Sequence, residues 1–251
     1  GHSTPTVDGN WLAVSNRSDD SFGENQGAVH LYFRSQAGWT LKQSLGPPDG
    51  SEPFTKATIA GNTLAVSSGL TDSNGSVFVY THEDNGWSFT QELLPSDNLL
   101  SNGFGFRVAI SAGFIAISGP AEFNADQIGG VYVFTEQNGV FTEQQKLTPS
   151  DGQSTDAFGW SVTLSGDQLI ATTRYRAGAV DHHGTAYAFR LVDGLWFEEQ
   201  QLKASDESES NVGNPGNWAN YFGASAAICG EYLFIGASGT LGKSEIGSDL
   251  W

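Results

Sequence analysis

Four times along this chain a glycine is followed twelve residues later by a large aromatic: Gly27 to Trp39, Gly75 to Trp87, Gly129 to Phe141 and Gly184 to Trp196. A spacing held that constant marks a repeat, in which each unit must present the same faces to its neighbours. The residues around the metre are strand formers. An apolar strand (Leu12-Ala13-Val14, Leu64-Ala65-Val66, Ile115-Ala116-Ile117, Leu233-Phe234-Ile235) precedes an alternating one that opens on glycine, such as Gly75-Ser76-Val77-Phe78-Val79-Tyr80. A further strand runs from the aromatic to a Leu six residues on: Trp39 to Leu45, Trp87 to Leu93, Phe141 to Leu147, Trp196 to Leu202. Six is an even step, so aromatic and Leu are expected on one face of that strand. No segment shows a helical stripe.

Each unit opens on Phe-Gly or a variant of it: Phe104-Gly105, Phe158-Gly159, Phe222-Gly223, a worn copy at Phe54-Thr55, and Gly1-His2 where the first pair would stand. The repeat units are therefore 1–53, 54–103, 104–157, 158–221 and a partial 222–251. Each full unit supplies four antiparallel strands, innermost first, and small residues after the Phe suit a strand crowded around an axis. The fold class that follows is all-β: one β-propeller over 1–251, five-bladed with an incomplete last blade. A β-sandwich has no reason to keep such a metre. The absence of Met, the altered first Phe-Gly and the stop partway along a third strand read as the cut ends of a longer repeat protein.

Composition excludes several function classes. Asp and Glu number 28 against 11 Lys and Arg, a formal charge of −17, which disfavours nucleic acid and anionic membrane as partners. The lone Cys229 allows neither an internal disulfide nor a Cys-rich zinc site. No apolar run is long enough to insert in a membrane.

The Phe-Gly openings, with Ile117-Ser118-Gly119-Pro120 and Ile235-Gly236-Ala237-Ser238, resemble the FG-GAP repeat of integrin α chains and bacterial surface proteins, and more closely the bacterial form. The resemblance implies an extracellular or cell-surface adhesion and ligand-recognition module, often with Ca²⁺. The integrin Ca²⁺ loop between first and second strands has no counterpart here. Asp8-Gly9-Asn10, Ala60-Gly61-Asn62 and Ser165-Gly166-Asp167 are too short for a cation needing 6–8 oxygens.

The connections of variable length, second-to-third and fourth-to-first strand, emerge on one side of the ring, making that side the expected recognition face. Its most distinctive loop carries Asn217 and Trp218, a ring and an amide suited to a sugar; the alternative is Trp218 capping a blade. The neighbouring loop offers Arg174, Tyr175, Arg176 and His182, with an arginine able to take a ligand carboxylate. Asp49, Asp97, Asp151 and Asp206 each follow the fourth-strand Leu by four residues and are expected to fix the crossing between blades. Asp151 with Asp156 is the one Ca²⁺ corner the sequence offers, and a weak one.

There is no Gly-x-Ser-x-Gly elbow, His-Glu-x-x-His or phosphate loop, and no catalytic residue is assigned. The expectation is a non-enzymatic module binding a protein or carbohydrate ligand. The alternatives are a polysaccharide lyase or hydrolase working through His182 or His183 with Tyr175, and a structural segment of a large surface protein.

Overall fold

The computed structural model of the chain describes residues 5–48, 52–69, 75–97, 102–121, 127–154, 156–173, 184–204 and 222–237. Its regular structure is eighteen β-strands, and no α-helix occurs among these residues. The first sheet is a meander of β1 (Thr6–Asp8), β2 (Trp11–Asn16), β3 (Ala28–Ser35) and β4 (Gly38–Leu45). The second holds β5 (Phe54–Ala60), β6 (Thr63–Ser68), β7 (Ser76–Glu83) and β8 (Gly86–Leu93). The third holds β9 (Val108–Ser111), β10 (Phe114–Gly119), β11 (Gly130–Gln137) and β12 (Val140–Leu147). The fourth holds β13 (Val162–Ser165), β14 (Gln168–Thr172), β15 (Ala186–Val192) and β16 (Leu195–Leu202). A two-stranded fifth pairs β17 (Phe222–Cys229) with β18 (Tyr232–Ala237). Four full antiparallel sheets and a shorter fifth make the expected β-propeller with an incomplete last blade.

The innermost strands touch in succession, β1 on β5, β5 on β9, β9 on β13 and β13 on β17. Between successive blades lie three apolar layers of the same composition. Ala13, Val29 and Leu31 of the first sheet meet Ile59, Leu64, Val66, Phe78 and Trp87 of the second. Ala65, Val77, Val79 and Leu93 then meet Ile115, Ile117, Tyr132 and Phe141 of the third. Ala116, Val131, Val133 and Leu147 meet Val162, Leu164, Leu169 and Trp196 of the fourth. Each blade thus shows its small residues forward and its large ones backward.

One sequence expectation fails here. In every full sheet the third-to-fourth strand register shifts at the same place, between Leu31 and Tyr32, Val79 and Tyr80, Val133 and Phe134, and Ala188 and Phe189. The residue skipped in the fourth strand is Lys42, Thr90, Gln144 or Glu199. A bulge adds one to the count, so the even step from aromatic to Leu becomes an odd one. Aromatic and Leu therefore lie on opposite faces: Trp87 packs on the blade before it and Leu93 on the blade after.

The same bulge aims a glutamine forward. Gln43 Nε2 donates to the Trp87 carbonyl at 2.8 Å while its Oε1 accepts the Trp87 N–H at 2.9 Å. Gln91 clamps Phe141 (2.7 and 2.9 Å) and Gln145 clamps Trp196 (2.9 Å twice) in the same way. The clamped aromatics are 3, 5 and 2% exposed, whereas Trp39, in the first described sheet, is 41% exposed.

The glycine that opens each third strand has a steric reason. A Cβ on Gly27 would stand 2.5 Å from the Phe54 carbonyl oxygen of the next blade. At Gly75, Gly129 and Gly184 it would stand closer still to the carbonyls of Phe104, Phe158 and Phe222. Backbone bonds across this approach, Phe54 N–H to Gln26 and Phe158 N–H to Ile128, at 2.9 Å each, join the blades. Because Gly75 carries no left-handed strain, Gly75→Ala isolates this clash. It is expected to destabilise by about 3 kcal/mol through overpacking, read as a fall in the denaturant midpoint. Gln91→Ala, which strands two backbone groups of Phe141, is expected to destabilise by about 1–3 kcal/mol in the same measurement.

Candidate ligand site at the entrance to the innermost strands

Each innermost strand is entered from a fourth-to-first connection through the Phe-Gly turn. In the third and fourth blades that turn is bulged. Gly105 and Gly159 take φ of +89° and +94°, and their N–H groups bond the Ser118 and Thr172 carbonyls at 3.0 and 2.9 Å. The second blade has Thr55 instead, one residue shorter before the ladder resumes, and its hydroxyl donates to the Ser67 carbonyl at 3.2 Å. In all three blades the strand then starts beside a buried hydroxyl residue. Lys56 pairs with Ser67, the Arg107 carbonyl accepts the Ser118 N–H at 2.9 Å, and the Ser161 carbonyl accepts the Thr172 N–H at 3.0 Å. Lys56, Arg107 and Ser161 thus hold one register position in successive blades, and Ser225, opposite Gly236, continues it.

Small residues are expected here, and the structure places large ones. Lys56 Nζ reaches into the next blade and donates to the Phe106 carbonyl at 2.8 Å, lying 4.5 Å from the Phe106 ring centroid. The Arg107 guanidinium donates to the same carbonyl at 3.1 Å and sits 4.3 Å from the same ring. Phe106 in turn lies 4.9 Å from Trp160 of the fourth blade. Three blades therefore converge two cations and two aromatic rings on one end of the axis. All four side chains are partly buried.

The electrostatics of this cluster are unbalanced. Among the described residues neither Lys56 nor Arg107 forms an ion pair; the pairs present are His30–Asp19, Lys146–Asp97 and Arg190 with Asp167 and Glu199. Loss of water around the ammonium, and then the Arg107 charge beside it, pulls the Lys56 pKa down from 10.5 to about 8. Burial lowers that of Arg107 as well. The unfolded chain therefore holds the Lys56 proton more tightly than the folded one. The resulting penalty is complete below about pH 8 and is relieved as the pH rises toward 10.5. Lys56→Met is accordingly expected to be more stable than the parent near pH 7, with the advantage shrinking between pH 8 and 10.5 in paired denaturation curves.

The residues singled out in the sequence distribute differently. Arg174, Tyr175, Arg176, His182, Asn217 and Trp218 lie outside the described residues, as do Asp49 and Asp206. Asp97 and Asp151 tie neighbouring blades by accepting a tyrosine hydroxyl. The Tyr132 hydroxyl donates to Asp97 at 2.9 Å and the Tyr187 hydroxyl to Asp151 at 2.8 Å. Asp97 also pairs with Lys146 at 2.6 Å. Asp156 is 2% exposed and accepts the Gln153 N–H of its own turn at 2.9 Å. No group of three or more His, Cys, Asp or Glu that could hold a metal occurs among the described residues. Lys56, Phe106, Arg107 and Trp160 escaped the sequence reading. Their signal is bulk and charge at the metre position that Ser and Ala fill elsewhere.

The FG-GAP repeat family matches residues 87–134 and 141–189. Each stretch begins on the fourth strand of one blade, β8 or β12, and runs through the first three strands of the next, β9–β11 or β13–β15. The chain is a β-propeller, and two stretches of it match the FG-GAP repeat. No curated protein matches the sequence. Among solved structures, a protein from Lactobacillus plantarum is 19% identical with a TM-score of 0.46, over 77% of this chain and 54% of that one. A putative 6-phosphogluconolactonase from Bacteroides fragilis is 12% identical with a TM-score of 0.46, over 93% and 75%. A periplasmic gluconolactonase from Pseudomonas aeruginosa is 15% identical with a TM-score of 0.41, over 81% and 72%. The chain thus spans about half the length of the Lactobacillus protein.

The presence of two lactonases among these structures corrects the expectation of a non-enzymatic module. The missing linear motif was no evidence against catalysis. In a propeller, neighbouring side chains at the axis come from separate blades roughly 50 residues apart, so a catalytic group leaves no local pattern.

Proposed function

We propose that the protein is an extracellular recognition propeller. Repeat units 1–53, 54–103, 104–157, 158–221 and 222–251 are its blades, and a glycan is its ligand, held on the side from which the innermost strands are entered. The observation that carries this reading is the convergence of Lys56, Phe106, Arg107 and Trp160 from three successive blades. A core position would favour small apolar side chains here, and a structural staple would pair its cations with some of the abundant carboxylates. Rigid aromatic rings beside polar donors are the usual makings of a sugar site. Trp218, Asn217, Arg174, Tyr175, Arg176 and His182, which lie outside the described residues, are proposed as further ligand contacts on their side-chain chemistry alone. A cation bound through Asp151 and Asp156 is not needed for this reading. Recognition of this kind serves a binding protein and an enzyme alike. No helix among the described residues is long and apolar enough to cross a membrane, and we place the protein at the cell surface or outside the cell.

Glycan-array screening followed by calorimetry tests the proposal. Trp160→Ala is expected to weaken the best glycan by roughly tenfold or more, the loss of about 1.4 kcal/mol of ring contact. Trp39→Ala, at a partly exposed ring remote from the site, should leave binding unchanged. Equal affinity for both variants and the parent would move the site elsewhere.

A further inference from the structure

The charge at the entrance is opposite to that of the protein around it. Carboxylates outnumber cations by 28 to 11 in the chain, yet two of those cations stand side by side with no carboxylate partner among the described residues. They occupy the same register position in adjacent innermost strands and both turn to one neutral acceptor, the Phe106 carbonyl. An ammonium has three donors and a guanidinium five, so a single shared carbonyl leaves most of their capacity unused. Two like charges half out of water, without a counter-ion, cost stability that any nearby Asp or Glu would have relieved. Two other cations of this protein have that relief: Lys146 lies on Asp97, and Arg190 on both Asp167 and Glu199. Retention of an uncompensated pair at the mouth of a site is the trade of stability against binding seen where a ligand brings the missing charge.

We propose that Lys56 and Arg107 form a subsite for the carboxylate of an acidic sugar, a uronate. The inference rests on the glycan reading above and sharpens its ligand from sugar to sugar acid. One carboxylate oxygen lies on the Lys56 ammonium and the guanidinium of Arg107 takes the other, a charge-assisted arrangement that sets one negative charge between the two cations. Phe106 and Trp160 form the apolar surroundings that keep the pair partly dry and so strengthen the contact. Ser225, exposed at the same register two blades beyond Arg107, continues the ring, where a sugar hydroxyl would meet its side-chain oxygen.

Calorimetry with trigalacturonate and with its neutral counterpart galactotriose tests the subsite. Trigalacturonate is expected to bind roughly tenfold or more tighter, in keeping with a charged hydrogen bond of about 1.5–3 kcal/mol. The double variant Lys56→Gln, Arg107→Gln should lose that preference, and Arg107→Lys should keep part of it. A readout independent of variant folding is the titration of the Lys56 ammonium by NMR in the parent protein. Its midpoint, about 8 without ligand, should rise by about one unit under saturating trigalacturonate. Equal binding of the two sugars, an unshifted Lys56 midpoint, or preference retained in the double variant would overturn the subsite while leaving glycan recognition in place. Failure of both sugars together with loss of array binding in Trp160→Ala would overturn the uronate alone. Capture of a polyglutamate peptide with the same charge dependence, and of neither sugar, would overturn the sugar assignment and give the pair to acidic peptides. Failure of every glycan on the array would remove both readings.

Discussion

The structure depends on how closely successive blades can approach at the axis. The Phe carbonyl that opens one innermost strand lies where the third-strand glycine of the previous blade would carry its Cβ. That contact is between backbones, so no side chain can be traded to relieve it, and glycine is the residue it demands. Once it is made, the three apolar layers follow, with small residues forward against large ones behind. A propeller has no central hydrophobic globule, and its stability is the sum of such nearest-neighbour interfaces. The glycine metre and the glutamine clamps are two parts of that same interface, one at the axis and one toward the rim.

Against this uniform background the entrance to the innermost strands is irregular. The second, third and fourth blades agree on the buried hydroxyl residue beside each strand start, and they differ in what projects from it. A scaffold that fixes position while leaving identity free is the physical basis for placing function on repeat proteins. Lys56 and Arg107 carry a stability penalty that the interfaces elsewhere have no need to include. The low Lys56 pKa expresses that penalty directly, since it measures how poorly the folded protein solvates the charge.

Much of the fold was legible because a metre survives any uncertainty in individual strands. The twelve-residue interval between glycine and aromatic required equivalent hairpins, and those hairpins are β3–β4, β7–β8, β11–β12 and β15–β16. What misled was parity. The step from Trp87 to Leu93 is even, and the bulge at Thr90 makes it odd, so the two side chains serve different interfaces. A bulge here leaves no glycine in the sequence to announce it. Of the Asp residues that follow the fourth strands, Asp97 and Asp151 do reach across to the next blade, each to a tyrosine hydroxyl some 35 residues away in sequence.

The sequence by itself determined the class of protein: an acidic all-β chain whose repeating interval admits a propeller and little else. It also determined the glycines and aromatics on which the interfaces rest, because those needs are local to each unit and recur in each. Only the tertiary structure decided which residues stand together at the axis. Lys56, Phe106, Arg107 and Trp160 come from three blades, and nothing in their flanking sequence relates them. They meet because the blades are stacked at a fixed spacing and the innermost strands start at the same level. An imbalance of charge between neighbours exists only once they are neighbours, so it could be found only there.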